Sequence, residues 1–162
     1  TWMERESPDT YAALLEADRA SRERLGFGNA IAMPYHHVIL PLCSRRDKIT
    51  EVRWGIADFR RRFGREPEGM WLPEAAVDEE TLEVLALEGI RFTIVGPDQV
   101  QRAPAGGLPG RCRTGGGRAI AVFVYDGAPT ADKTDDISVN LGAQEGHGTA
   151  ATEGASANIS RE

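Results

Sequence analysis

The sequence has little cysteine, and its two cysteine residues stand far apart. Cys43 and Cys112 match no metal-site spacing, and two cysteines in 162 residues are too few to form a disulfide framework. A reducing cytoplasm is the compartment expected from this usage.

Long apolar runs and an excess of positive charge are also absent. No run approaches the about 20 apolar residues that cross a bilayer, and the first residues show no signal-peptide pattern. The 19 Lys and Arg residues are outnumbered by 25 Asp and Glu residues, which gives a net charge of −6. A basic surface is what attracts nucleic acid and anionic membranes, so neither partner is expected.

What is present suffices for one globular domain, because 41% of the residues are hydrophobic and 27% are charged. The chain opens on Thr1 rather than on methionine, which suggests a start inside a domain. After residue 126 the composition changes to Gly, Ala, Thr, Ser, Asp and Asn. Such a segment buries too little surface to offset its ordering entropy. The predicted division is therefore a folded domain over 1–126 and a disordered tail over 127–162.

Apolar strands and amphipathic helices alternate within the folded part. The predicted strands span 29–33, 69–73, 91–96 and 119–125, and the predicted helices span 8–25, 47–63 and 78–88. This alternation predicts parallel pairing through right-handed crossovers. Four strands are too few to close a barrel, so the expected fold is α/β, an incomplete segment of a (β/α) barrel. The glycine-rich twenty residues after Pro97-Asp98, 99–118, are predicted to be a long loop or an irregular excursion.

Two of the helices carry a clear apolar face. In the 47–63 helix, which Asp47 is predicted to open, apolar residues recur at steps of three and four: Ile49, Val52, Ile56, Phe59 and Phe63. In the 8–25 helix, Tyr11, Leu14 and Leu15 are predicted to be buried.

Polar side chains follow the predicted strands, and these ends share one face of a parallel sheet. They are His36, His37, Glu74, Asp98 and Asp126. Ligands bind at this face, because its loops are free to vary. Glu74 has two interpretations on position alone, as a functional carboxylate or as a cap for the next helix, where a negative charge suits the helix dipole.

Two segments resemble glycoside hydrolase family 57. The run Gly69-Met70-Trp71-Leu72-Pro73-Glu74 is similar to the family motif that bears the catalytic nucleophile. Residues 34–41 resemble the family's upstream Tyr-x-His-x-Ile-Leu-Pro segment. Residues 46–48 and 63–69 are similar to a poorly characterised bacterial branch, and the resemblance covers residues 1–126.

The resemblance implies a partial (β/α)-barrel catalytic domain over 1–126 that acts on α-glucans with retention, by hydrolysis or glucanotransfer. Glu74 corresponds to the nucleophile. A retaining enzyme uses two carboxyl groups about 5–5.5 Å apart, one as nucleophile and one as acid/base. Neither a metal nor a cofactor is implied.

The resemblance also implies an oligo- or polysaccharide substrate and residues that contact it. These candidate substrate-binding residues are Tyr35, His36, His37, Trp71 and Asp126. Trp71 has a second interpretation, as a core residue of the barrel. Asp126 is the strand-end aspartate, but it is not equated with the acid/base.

The sequence departs from the family in two motifs that it lacks. The opening histidine motif of the first barrel strand is missing, and nothing in 127–162 matches the acid/base motif. Ala75 also replaces the more common cysteine after the nucleophile. The expectation is that this chain is inactive by itself, and that its exposed barrel edges promote self-association.

Two other functions stay open. One is a metal-dependent polysaccharide deacetylase-like barrel with His36, His37 and an aspartate as ligands, although the usual His-x-x-x-His spacing is absent. The other is a non-catalytic carbohydrate-binding barrel. Metal analysis tests the first, and binding without hydrolysis would indicate the second.

Overall fold

A computed structural model describes residues 1–102, 108–125 and 138–139. The predicted boundary at residue 126 and the predicted disorder of 127–162 lie outside these residues, except for a short strand, β6 (Ser138–Val139). This strand pairs antiparallel with β3 (Val100–Arg102). None of the helices described is long and apolar enough to cross a bilayer.

The described helices are α1 (Trp2–Glu6), α2 (Pro8–Leu25), α3 (Arg45–Phe63) and α4 (Glu79–Leu87). Gly26 and Gly64 end α2 and α3 in the left-handed conformation, with φ of 84° and 66°, which glycine adopts without strain. The predicted start of α3 at Asp47 is wrong by two residues. Ser44 is the N-cap, and its hydroxyl accepts from the Asp47 backbone N–H.

The main sheet of the described residues contains β1 (Gly69–Trp71), β2 (Phe92–Val95), β4 (Gly110–Arg113) and β5 (Ala119–Val124). Its strand order is β1-β2-β5-β4. Both β1–β2 and β2–β5 are parallel, which confirms the predicted pairing.

The predicted strand over 29–33 is reduced to one parallel bridge between Ala32 and Met70. Ala32 N–H donates to the Gly69 carbonyl over 2.9 Å, and Trp71 N–H donates to the Ala32 carbonyl over 2.8 Å. Pro34 follows two residues after Ala32 and has no N–H to extend the ladder. The fourth parallel segment is therefore present, but shorter than predicted.

The segment between β2 and β5 corrects the prediction of a long loop or irregular excursion over 99–118. It contains a 3₁₀ turn (Pro97–Gln99), then β3, and then β4, which pairs antiparallel with β5. The β4–β5 turn is closed by Gly117, which has a φ of 78° and donates its N–H to the Thr114 carbonyl. The glycines that suggested a loop therefore belong partly to a hairpin.

The core lies between one face of the sheet and the two helices α3 and α4, which pack against each other. Its buried side chains come from α3 (Val52, Ile56, Phe59), from α4 (Leu82, Leu85) and from the sheet (Met70, Val95, Ile120, Val122). Ile49 and Phe63 pack at its margin. The predicted apolar face of α3 is thus confirmed.

A buried ion pair, rather than an apolar face, anchors α2. Arg65 donates to both carboxylate oxygens of Asp18 over 2.7 and 2.9 Å, with side chains only 5% and 3% exposed. The hydrogen bonds from Arg65 and from the Ala30 backbone lower the pKa of Asp18, against the effect of burial. The predicted burial of Leu14 is wrong, because its side chain is 51% exposed, whereas Tyr11 and Leu15 are half-buried.

Candidate active site at the end of strand β1

Glu74 lies in a strained turn directly after β1. Residues Pro73–Ala75 form a 3₁₀ turn in which Glu74 has φ 55° and ψ 18°, and Ala75 has φ 52°. A non-glycine residue in this region costs on the order of 1–3 kcal/mol. The turn is held by the Ala75 N–H, which donates to the Leu72 carbonyl, and by Gln99, which donates to the Ala75 carbonyl. Strain of this kind is concentrated at functional sites.

The cap of α4 is supplied by Asp78. Its Oδ1 accepts from the Thr81 N–H over 2.7 Å, and Nζ of the buried Lys48 lies 2.9 Å from Oδ2. Burial opposes the ionisation of Asp78, but the hydrogen bonds from Lys48 and Thr81 outweigh it and lower the pKa of the carboxyl group. The helix-capping role that its position suggested for Glu74 therefore belongs to Asp78.

The Glu74 carboxylate meets a histidine of the upstream segment. Nε2 of His37 lies 2.9 Å from Oε1 of Glu74, and the two side chains are 60% and 61% exposed. Because an ionised carboxylate can only accept, Nε2 of His37 is the donor. The structure thus brings together two of the predicted site residues.

The neighbouring histidine is held by a residue that the sequence analysis missed. Oε2 of Glu51 accepts from the His36 backbone N–H, and Oε1 lies 2.9 Å from Nδ1 of the same histidine. The Glu51 backbone carbonyl accepts from the Tyr35 N–H over 3.1 Å. The rings of Tyr35 and Trp54 meet edge to face, with centroids 5.8 Å apart. On helical periodicity Glu51 and Trp54 belong to the polar side of α3, so the pattern gave no reason to select them.

One sequence signal did mark the contact between α3 and this segment. A Cβ atom added at Gly55 would lie 2.0 Å from the Met33 carbonyl oxygen, so α3 approaches the chain before Tyr35 closely only because this position is glycine. Glycine inside a helix costs roughly 0.5–1 kcal/mol relative to alanine. Its presence in a strongly periodic helix therefore indicates a close backbone approach.

The remaining predicted substrate residues are less closely associated with Glu74. Trp71 is half-buried between the fully buried Met70 and Leu72, so it lies on the face of the sheet opposite the core. Its ring centroid is 6.4 Å from that of Tyr125. Asp126 lies outside the described residues.

The described part of the chain contains no group of three or more His, Cys, Asp or Glu side chains arranged to hold a metal ion. His36 and His37 are instead engaged by different carboxylates, from Glu51 and Glu74. The arrangement can orient a carboxylate and present imidazole and aromatic groups to a polar ligand.

The family model described as Glycosyl hydrolase family 57 matches residues 26–128. Alpha-amylase 1 of Dictyoglomus thermophilum is 26% identical over 95 residues. That match covers 58% of this chain and 13% of the amylase, so the chain spans about an eighth of that relative.

Solved structures share the fold at low sequence identity. A 4-alpha-glucanotransferase from Thermococcus litoralis superposes with a TM-score of 0.60 at 21% identity, over 76% of this chain and 19% of that one. A putative polysaccharide deacetylase from Mycobacterium smegmatis reaches 0.50 at 17% identity, over 76% and 36%. Both likenesses concern the fold alone, so they do not distinguish a glucan-transferring from a deacetylating site.

Proposed function

This chain belongs to glycosyl hydrolase family 57, and we propose on that basis that the protein carrying it cleaves or transfers α-glucan linkages with retention of configuration. Glu74 is its nucleophile. The names of the similar proteins, an alpha-amylase and a 4-alpha-glucanotransferase, support an α-glucan substrate. The acceptor of the sugar is water in hydrolysis or a second glucan in transfer.

The observation that carries the proposal is the setting of the Glu74 carboxylate. It is placed at the C-terminal end of β1 by two consecutive left-handed residues, and it is bonded to His37. A turn that only connected β1 to α4 would not need this strain, because Asp78 already caps the helix.

In this mechanism one oxygen of Glu74 attacks the anomeric carbon, the bond to the leaving sugar breaks, and a covalent glycosyl–enzyme forms. The hydrogen bond from His37 to Oε1 fixes the orientation of the carboxylate. A second carboxyl group, which we assign to no described residue, protonates the leaving oxygen and then activates the acceptor. Tyr35 and His36 bind sugar hydroxyls, and Trp71 stacks on a sugar face.

The test is the variant Glu74→Gln in the whole protein. It keeps the shape of the side chain and removes the nucleophile, so α-glucan turnover should fall on the order of 10³-fold or more, beyond about 4 kcal/mol. Glu79→Gln is the matched control, because Glu79 bonds the Gly115 N–H away from the site. Near-full turnover by Glu74→Gln would refute the proposal, and binding of glucan by wild type without turnover would indicate a non-catalytic binding protein.

Two further points belong to the proposal. The sheet face opposite the core carries aromatic side chains, among them Phe92 and Phe123, whose rings meet edge to face at 5.4 Å. We propose that this face and the sheet edges cause the chain to self-associate when it is produced by itself. A cytoplasmic location is proposed from the two cysteines and the missing disulfide framework.

A further inference from the structure

Two adjacent histidines are bound by carboxylates through opposite ring nitrogens. Glu51 on α3 binds Nδ1 of His36, whereas Glu74 after β1 binds Nε2 of His37, each over 2.9 Å. Because a carboxylate only accepts, the ring nitrogen facing it carries the hydrogen. A neutral His36 is therefore the Nδ1–H tautomer, and a neutral His37 is the Nε2–H tautomer.

The tautomer assignment determines which nitrogen of each neutral ring carries the lone pair and can accept a hydrogen bond. In His36 it is on Nε2, and among the described residues none forms a hydrogen bond with that atom. The His36 side chain is 56% exposed, whereas Glu51 is only 13% exposed beneath it. Glu51 is thus shielded from a ligand, while Nε2 of His36 is open to one.

We infer that Glu51 is a positioning residue that holds His36 as the Nδ1–H tautomer, so that Nε2 accepts a hydrogen bond from a hydroxyl group of the glucan. The inference rests on the proposed function for the identity of the ligand. It adds Glu51 to the proposed site and gives the two histidines different hydrogen-bonding roles. Nε2 of His36 accepts from a sugar hydroxyl, and Nε2–H of His37 donates to the Glu74 nucleophile.

A purely structural role for Glu51 would need only one of its two hydrogen bonds to His36. One oxygen accepting from the His36 backbone N–H is enough to hold the segment, and that bond is 2.9 Å long. The second oxygen is placed on Nδ1, where it contributes little to the backbone path but determines which nitrogen keeps the hydrogen. Gly55 and the Tyr35 N–H bond already hold α3 against the segment.

The variant Glu51→Gln separates the two roles. Its amide has one acceptor and one donor, and the His36 backbone N–H requires the acceptor, so the amide nitrogen faces Nδ1. Nδ1 must then accept, and the tautomer reverses while the segment stays in place. A sugar hydroxyl can turn to accept from Nε2–H, but it gives up its own donor bond. We expect kcat/KM on an α-glucan to fall about tenfold, which corresponds to one hydrogen bond.

The matched control is Glu88→Gln. Glu88 also accepts two hydrogen bonds, from Arg53 over 2.8 and 3.0 Å, and is 12% exposed, but it lies outside the site. The primary readout is the ¹H–¹⁵N two-bond spectrum of histidine rings in the whole protein at about pH 8.5, where an ordinary imidazole is neutral. The signal of His36 is identified by its loss in His36→Gln.

The expected result is Nδ1–H at His36 in wild type and in Glu88→Gln, with reversal and the tenfold loss in Glu51→Gln. Nε2–H at His36 in wild type would overturn the inference, as would reversal without loss of kcat/KM. If Glu51→Gln does not fold, the wild-type spectrum decides. An absence of turnover on every α-glucan would refute the proposed function, whereas the tautomer assignment is decided by the spectrum alone.

Discussion

Nε2 of His37 lies 2.9 Å from Oε1 of Glu74, although 37 positions separate the two residues in the chain. The contact joins the segment after the Ala32 bridge to the turn after β1, so two neighbouring strand ends share one hydrogen bond. A carboxylate held in this way keeps one orientation relative to the cleft.

The first prediction removes that bond. In His37→Ala the Glu74 carboxylate loses its donor, so kcat should fall about 10- to 100-fold, the range for a hydrogen bond to a charged group. His37→Gln retains an N–H donor and should recover part of the loss. Steady-state kinetics of the whole protein measure both, and equal activity of His37→Ala and wild type would show that His37 does not orient the nucleophile.

The second prediction concerns the strain at Glu74. At φ 55° a Cβ atom is unfavourable, so Glu74→Gly should be more stable than Glu74→Ala by about 0.5–1 kcal/mol, despite the larger unfolded-state entropy of glycine. Both variants should be inactive. Denaturant unfolding measures the difference.

Ala57 provides the control for this comparison, because it is exposed in the middle of α3. Ala57→Gly should lower the free energy of unfolding by about 1 kcal/mol. At this position glycine is therefore less stable than alanine, the opposite of the order expected at position 74. If Glu74→Gly were less stable than Glu74→Ala, the turn would not be strained.

The elements that could be predicted from the sequence are those with a local pattern. The three-and-four spacing from Ile49 to Phe63 specifies α3, and the short apolar runs with intervening helices specify the parallel order of β1, β2 and β5. The meeting of His37 with Glu74 follows from the rule that parallel strand ends share a face.

The features that could not be predicted depend on distant partners. The burial of Asp18 depends on Arg65, 47 positions later in the chain, which pairs with its carboxylate. The apolar pattern of α2 gives no sign of this pair and favours the burial of Leu14, which is 51% exposed. Glu51 occupies a polar position of α3, and nothing local shows that it meets His36. β4 is paired despite its glycine-rich surroundings, because β5 offers it an open edge.

The third prediction concerns the acid sensitivity of the Asp18–Arg65 pair. Hydrogen bonds from Arg65 lower the pKa of Asp18, so its contribution is full above the ordinary carboxyl pKa of about 3.9 and is lost as the pH falls through the lower folded value. At pH 7, Asp18→Ala leaves a buried guanidinium uncompensated and should cost about 3–5 kcal/mol.

Below about pH 4 the difference between wild type and Asp18→Ala should shrink, because Asp18 of the unfolded chain takes up a proton first and folded Asp18 does so only at its lower pKa. Urea unfolding at a series of pH values measures it. Glu66→Gln is the control, since its pair with Arg60 is exposed to solvent and contributes little to stability. A difference that stayed constant down to pH 2 would show that the pair is not the source of acid sensitivity.

The fourth prediction concerns association. The chain produced by itself leaves Phe123 and Tyr125 exposed by 37% and 48% on the sheet face opposite the core. Light scattering should therefore show dimers or larger species whose population rises with concentration. A single monomeric species at all concentrations, with one cooperative thermal transition, would contradict this expectation.

The most direct test of Glu74 as the nucleophile is to trap the covalent intermediate. A fluorinated α-glucosyl fluoride enters such a site as a donor, loses fluoride, and leaves a sugar whose release is slow. After digestion of the whole protein, mass spectrometry should find one sugar per molecule, on the peptide that contains Glu74. A sugar on another carboxylate, or a product of inverted configuration with no labelled peptide, would contradict the assignment.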